Sequence, residues 1–133
     1  MDFFFTGKYD LLLDDKNRLA IPSKWRDQFD APAYLTSGEE ACIAVYTKGA
    51  FEQAAAEVQA LPKSSEAGRI GRRKFFGDAR DVMKDGSGRL LIPQSLIDHA
   101  NLKRDITVVG AGEWFEIWDA AAWNAYMSSE EGR

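Results

Sequence analysis

The sequence predicts a β-rich α+β fold in which two tandem copies of one small unit form a pseudo-twofold, barrel-like core with flanking helices. The main observation is an internal repeat. Residues 14–22 (DDKNRLAIP) recur as residues 85–93 (DGSGRLLIP), an offset of 71 residues. Further along, with one inserted residue, residues 45–46 (VY) align with residues 117–118 (IW). Agreement over this length indicates a duplicated structural unit.

Each copy opens with a strand, a turn, a second strand and a short helix. Asn17 and Gly88 occupy the same turn position, and both residue types tolerate positive φ, so a left-handed residue is expected there. Pro22 and Pro93 follow the second strand, where proline is accepted in the first turn of a helix. The predicted strands are 8–13, 19–21, 79–84 and 90–92, and the predicted helices are 22–29 and 93–100.

Each copy continues with a hairpin-like strand pair and a closing helix. Thr47 and Asp119 are candidate N-caps of the closing helices, because both side chains can accept a hydrogen bond from the first turn. A weak helix is expected from about residue 66 to the phenylalanine pair at 75–76. The predicted strands are 33–36, 41–46, 105–109 and 114–118. The corresponding units are a first repeat (5–61), a connecting segment (62–75) and a second repeat (76–128).

Composition favours a folded, intracellular protein. The chain has 133 residues, 45% of them hydrophobic, which is sufficient for a packed core. No apolar run approaches the ~18 residues that a bilayer span requires, and residues 2–5 do not resemble a signal peptide. Cys42 is the single cysteine, so no intramolecular disulfide is possible and a cytoplasmic location is expected.

Charge is unevenly distributed along the chain. The net charge is −4, yet residues 63–89 contain eight basic and four acidic residues, whereas residues 105–133 contain six acidic residues and one basic residue. Binding depends on how charge is distributed rather than on its sum. A basic side and an acidic tail fit a protein that binds nucleic acid with one face.

Arg18 and Arg89, at equivalent positions of the two turns, are the main candidates for DNA contacts. Such an arginine can contact a guanine in the major groove or a phosphate, and the sequence does not choose between them. Pairing with Asp14 and Asp85 across each turn is the competing interpretation of the arginines. The two aspartates are expected to support the turns. Lys16, Lys24 and Arg26 are further candidates, with ordinary solvated side chains as the alternative.

Two other groups of residues have more than one interpretation. Arg69, Arg72 and Arg73 share one helical face, which predicts either a DNA-binding stripe or, slightly favoured, an interface with acidic residues of a neighbouring subunit. The four tryptophans are expected in the core or a subunit interface rather than stacked on bases. They are Trp25, Trp114, Trp118 and Trp123.

The sequence shows no pattern typical of an enzyme. His99 is the only histidine, which disfavours a catalytic triad and, with one cysteine, a zinc site. No Gly-x-Ser-x-Gly motif is present. Residues 86–88 (GSG) lack the ending of a P-loop, and the matching turn has no serine. We therefore expect no catalytic residues, no metal and no cofactor.

The duplicated motif resembles the MraZ family of bacterial transcriptional regulators, which contain two AbrB/SpoVT-like swapped-hairpin units. The resemblance covers residues 5–127, and its signatures are the two Asp-x-x-x-Arg turns followed by Ile-Pro, FFGDA (75–79), VVG (108–110) and FEIW (115–118). It implies a homo-oligomeric ring that binds short direct repeats in the promoter of a division and cell-wall gene cluster, usually as a repressor associated with the nucleoid. The arginine of each turn is implied in the DNA-facing surface. The chain departs from the family pattern at Asn17, usually glycine, and at Ile97, often arginine as at Arg26.

The expected partners are double-stranded DNA and further copies of the chain, with no membrane and no evident small-molecule ligand. The main alternative is a ring-forming protein-interaction module without specific DNA binding, with the acidic tail as its docking surface. An antitoxin of related fold is less favoured, because such proteins normally carry one copy of the unit. Selective binding to promoter DNA would distinguish a transcriptional regulator from the protein-interaction module.

Overall fold

The computed structural model describes residues 3–129 and contains eight strands, four α-helices and one 3-10 helix in that range. The acidic residues Glu130 and Glu131 lie outside it. The strands are β1 Lys8–Leu12, β2 Arg18–Ala20, β3 Ala33–Ser37, β4 Ile43–Tyr46, β5 Arg80–Val82, β6 Arg89–Leu91, β7 Asp105–Gly110 and β8 Phe115–Asp119. The helices are the 3-10 helix Ser23–Phe29, α1 Lys48–Gln59, α2 Glu66–Asp78, α3 Gln94–Ala100 and α4 Ala120–Ser128.

The two repeats complete each other's sheets. Six strands form an antiparallel sheet in the order β1-β7-β8-β4-β3-β5, and β2 pairs with β6 in a separate two-stranded sheet. Because β5 to β8 are the second-repeat counterparts of β1 to β4, this order is symmetric about the β8–β4 pair. The first strand of each repeat pairs with the other repeat, at β1–β7 and β5–β3. The two copies therefore interlock within one sheet.

The large sheet is open. Within residues 3–129, β1 and β5 are its two edges and do not pair with each other, so the core is not the barrel-like closure that the sequence predicted. Sequence alternation specifies which face of a strand is buried. Closure depends instead on which distant strands meet, and this pattern does not encode that choice.

One face of the large sheet forms the core, together with the small sheet and the short helices. Trp25 is fully buried there and packs edge-to-face against Phe5, with ring centroids 5.3 Å apart. Phe115 of β8 lies against the same indole, with 4.9 Å between ring centroids. The core assignment is confirmed for Trp25. Trp118 is buried on the opposite face, where its ring contacts Trp123 of α4.

Helices α1, α2 and α4 cover the opposite face of the sheet. The predicted N-caps are confirmed, since Thr47 and Asp119 accept hydrogen bonds from the N–H groups of Ala50 and Ala122. Helix α2 is longer and better formed than the weak helix expected, and Thr36 on β3 donates a hydrogen bond to the carbonyl of Phe75, at 2.8 Å. No helix within residues 3–129 is long and apolar enough to cross a membrane.

Candidate nucleic-acid interface

The two Asp-x-x-x-Arg turns have the same internal hydrogen bonds. In the first turn, Asp14 Oδ1 accepts the backbone N–H groups of Lys16 and Arg18, and Asp14 Oδ2 accepts Arg18 Nε at 2.8 Å. The turn residue Asn17 has a φ of 62°. The aspartate thus closes the turn and fixes the arginine that follows it.

The second turn repeats this arrangement. Asp85 Oδ1 accepts the backbone N–H groups of Ser87 and Arg89, and Asp85 Oδ2 accepts Arg89 Nε at 3.0 Å. Gly88 has a φ of 77°. The left-handed conformation predicted for positions 17 and 88 is therefore confirmed in both turns.

The carboxylates of both turns are held in their charged form. The hydrogen bond from the backbone N–H of Arg18 is the largest influence lowering the pKa of Asp14, and the guanidinium of Arg18 acts in the same direction. The backbone N–H of Arg89 likewise lowers the pKa of Asp85. Both carboxylates are consequently ionised at neutral pH and form ion pairs with the guanidinium groups of Arg18 and Arg89.

Pairing of β2 with β6 brings the turns together. Arg18 lies opposite Leu91, and Arg89 lies opposite Ala20. Side chains two residues apart on a strand share a face, so both arginines lie on the same outer face, while Leu19 and Leu90 are buried on the other. Nη1 of Arg89 lies 3.8 Å from Oδ2 of Asp14. The two turns therefore form one continuous charged surface, which we call the arginine face.

Both arginines can bind a further partner. The side chains of Arg18 and Arg89 are 31% and 34% exposed. A guanidinium has five N–H donors, and the bonds within each turn use only Nε. Each arginine is thus held in a fixed orientation with donors still available.

The other three basic candidates differ in their surroundings. Lys16 is exposed at the tip of the first turn, and Lys24 Nζ lies 5.8 Å from the ring centroid of Tyr9. Arg26 is half-buried, and its Nε donates to the carbonyl of Ile21 at 2.8 Å. Its guanidinium also lies directly over Gly88, where an added Cβ would be 2.7 Å from Nε. Arg26 therefore packs on the second turn.

Two arginines of α2 bind backbone carbonyls at the end of α1 and in the segment that follows it. Arg69 Nη1 donates to the carbonyl of Lys63, and Arg72 Nη1 donates to that of Gln59 at the end of α1. Neither of these bonds involves a residue of the arginine face. The sequence does not predict this role, because the helical spacing of the arginines does not indicate which carbonyls lie nearby.

Several residues of this region were not identified from the sequence. Lys84 Nζ donates to the carbonyls of Arg26 and Phe29, both at 3.0 Å, at the end of the 3-10 helix. Leu91 is 58% exposed on the arginine face, and Gln94 accepts a hydrogen bond from Asn17 Nδ2. An alignment of the two repeats could have identified these residues as different between the copies. Lys84, Leu91 and Gln94 stand where the first repeat has Leu13, Ala20 and Ser23.

Other chemistry-bearing side chains lie apart from the arginine face. The described residues include no group of three or more His, Cys, Asp or Glu side chains arranged to hold a metal ion. His99 Nε2 lies 3.2 Å from the carbonyl of Glu40. Burial raises the pKa of the Cys42 thiol, and it raises that of Tyr46 to about 12.

Comparison with known proteins gives matches along nearly the whole chain. Residues 4–73 and 75–132 match the profile of a family described as "MraZ protein, putative antitoxin-like". A protein of Micrococcus luteus named Transcriptional regulator MraZ is 39% identical over 127 residues, which cover 96% of this chain and 89% of the relative. Proteins of the same name from Salinispora arenicola and Kocuria rhizophila are 39% and 40% identical with the same coverage.

Proposed function

Because the chain belongs to the MraZ family, we propose that it is a sequence-specific DNA-binding transcriptional regulator that uses the arginine face to contact its operator. In this proposal it represses the promoter of a division and cell-wall gene cluster. It does so as a homo-oligomeric ring on short direct repeats. The observation that carries the proposal is the pair Arg18 and Arg89, oriented by ionised aspartates on one outer face.

The geometry supports DNA binding in a specific way. An arginine whose orientation is fixed loses less conformational entropy on binding than a freely rotating side chain. Two such arginines on one face can each reach a base edge or a phosphate. The names of the relatives support regulation of transcription. They also favour a non-enzymatic role, and a location in the cytoplasm at the nucleoid fits that role.

Assembly into a ring would multiply these contacts. One subunit offers only a small charged surface, so repeated operator elements engaging several subunits would raise the affinity through effective concentration. In this proposal each subunit consists of two repeats, 5–61 and 76–128, joined by residues 62–75. Each repeat forms an AbrB/SpoVT-like swapped hairpin. Light scattering should give a mass several times the 14.9 kDa of one chain. A monomer at all concentrations would contradict the ring.

The decisive experiment is a mobility shift with DNA from upstream of the gene, compared with an unrelated fragment at two salt concentrations. We expect selective retardation that weakens steeply with salt, because neutralising phosphates releases counterions. The variant R18A/R89A should lose about 100-fold or more in affinity, since each good base contact contributes ~1–3 kcal/mol.

The matched control removes the same charge elsewhere. Arg73 and Lys74 are exposed on α2, and the variant R73A/K74A should retain selective binding. An equal loss in both double variants would mean that net charge, rather than the arginine face, determines binding. Absence of selectivity at low salt in an intact oligomer would favour the alternative, a ring-forming protein-interaction module.

A further inference from the structure

The surroundings of Arg18 are rich in groups that can recognise a base. Asn17 precedes Arg18 in the turn, and its Nδ2 donates to Oε1 of Gln94 at 3.4 Å. Leu91 lies opposite Arg18 in the β2–β6 ladder and is 58% exposed. An amide pair, an exposed apolar side chain and an arginine therefore lie together on one side of the arginine face.

The surroundings of Arg89 lack all three groups. The equivalent positions there are Gly88, Ala20 and Ser23. Gly88 is buried beneath Arg26, and a Cβ at that position would lie within 3.0 Å of three side-chain atoms of this arginine. The side of Arg89 therefore has small side chains, with the guanidinium of Arg26 packed on Gly88. At all three positions the Arg18 side has the larger side chain, either an amide or an exposed apolar group, and the Arg89 side has the smaller one.

These chemical differences correspond to two kinds of DNA contact. In the major groove, asparagine and glutamine amides match the donor and acceptor of adenine, and an apolar side chain contacts the thymine methyl group. Small residues beside an arginine carry little base information but suit a phosphate, which fixes orientation without reading sequence.

We propose that the two halves of the arginine face have different roles, and that Asn17, Leu91 and Gln94 read A·T base pairs beside the Arg18 contact while the Arg89 side binds phosphate. The inference rests on the proposed function, because it assigns specificity within the same surface. Asn17 suits this role structurally. Its left-handed conformation would also accept glycine, so the side chain is not needed to form the turn.

The test exchanges one side for the other. The variant N17G/L91A/Q94S gives the Arg18 side the residues found beside Arg89. Both proteins are used to select from a random duplex library, and affinities are then measured for the wild-type site, its single base-pair variants and unrelated DNA over a range of salt. We expect the wild type to lose about tenfold or more when an A·T pair next to the Arg18 contact is changed. The triple variant should discriminate less than about twofold at that pair while binding unrelated DNA with unchanged affinity and salt dependence.

The matched control is S23A, which removes the hydroxyl at the position equivalent to Gln94 and should leave discrimination intact. Retained discrimination in the triple variant would overturn the inference. So would an equal loss for every DNA, or a changed oligomeric mass, which would assign Leu91 to a subunit contact. These outcomes leave the proposed function standing. Absence of selective binding by the wild type would instead overturn the proposed function, and the inference with it.

Discussion

The two turns share their internal bonds but differ in what supports them. Asn17 and Gly88 have similar φ values of 62° and 77°. Asn17 extends its side chain to Gln94 at the surface, whereas Gly88 is buried beneath the guanidinium of Arg26. Ile97, the other departure from the family pattern, is buried in α3. Both copies have the same carboxylate–guanidinium pair, but the residues around it differ. The same motif in the two turns therefore does not imply the same role.

The short helices that follow the two turns also differ, in how their C-terminal ends are closed. Helix α3 is capped at its C-terminus by Asn101, whose φ of 50° allows the N–H of Leu102 to bond the carbonyl of Ile97. This backbone closure is typical of helix C-termini. The 3-10 helix is followed by Asp30, which is not left-handed, and Lys84 from the other repeat donates to carbonyls of its last turn. One helix closes through its own backbone, and the other depends on a contact between repeats.

The largest expected effect comes from G88A. Alanine is strained at a φ of 77°, and its Cβ would lie 2.7 Å from Arg26 Nε. We expect a loss of about 2 kcal/mol in the free energy of unfolding, measured by urea denaturation. N17G is the matched control and should change stability by less than about 0.5 kcal/mol, because glycine accepts the same conformation. Similar losses in both variants would mean that the two turns are supported alike.

A double-mutant cycle sharpens this comparison. R26A alone should cost about 1 kcal/mol, because it removes the hydrogen bond to the carbonyl of Ile21. In the G88A background the same change also removes the clash, so the combined loss should be smaller than the sum by about 1 kcal/mol. Additive losses would show that the contact between Arg26 and Gly88 does not limit position 88.

The repeat alignment shows which features of the structure can be predicted from the sequence. It predicts the turns, their left-handed residues and the N-caps, because each depends on residues close together in the chain. It does not predict that β1 pairs with β7 or that the sheet stays open, since these depend on pairing between distant strands. For the candidate site it indicates Arg18 and Arg89. The contacts of Arg26 and Lys84 with the other repeat can be identified only from the structure, because basic residues usually occupy solvated surfaces and their sequence gives no sign of a partner.

An intermediate effect is expected for K84M. Methionine keeps much of the apolar side chain but cannot donate to the carbonyls of Arg26 and Phe29. We expect a loss of about 1 kcal/mol in the free energy of unfolding, with faster hydrogen exchange confined to the 3-10 helix. The exposed lysine Lys48 on α1 provides a control, and K48M should leave both measurements unchanged. Equal exchange in the 3-10 helix of K84M and the wild type would show that the lysine does not close it.

The smallest expected effect is a pH dependence from Asp14 and Asp85. Their pKa values are lowered in the folded protein, so the ionised carboxylates stabilise it above the unfolded pKa of about 3.9, and this contribution is lost as pH falls through the folded pKa. Urea denaturation from pH 6 to pH 3 should therefore show a shallower loss of stability in D14N/D85N than in the wild type. D15N is the control, because Asp15 is an exposed neighbour in the first turn, and it should follow the wild-type profile. If D14N/D85N also follows that profile, the aspartates orient the arginines without measurably stabilising the fold, and their effect should then be sought in the affinity for DNA.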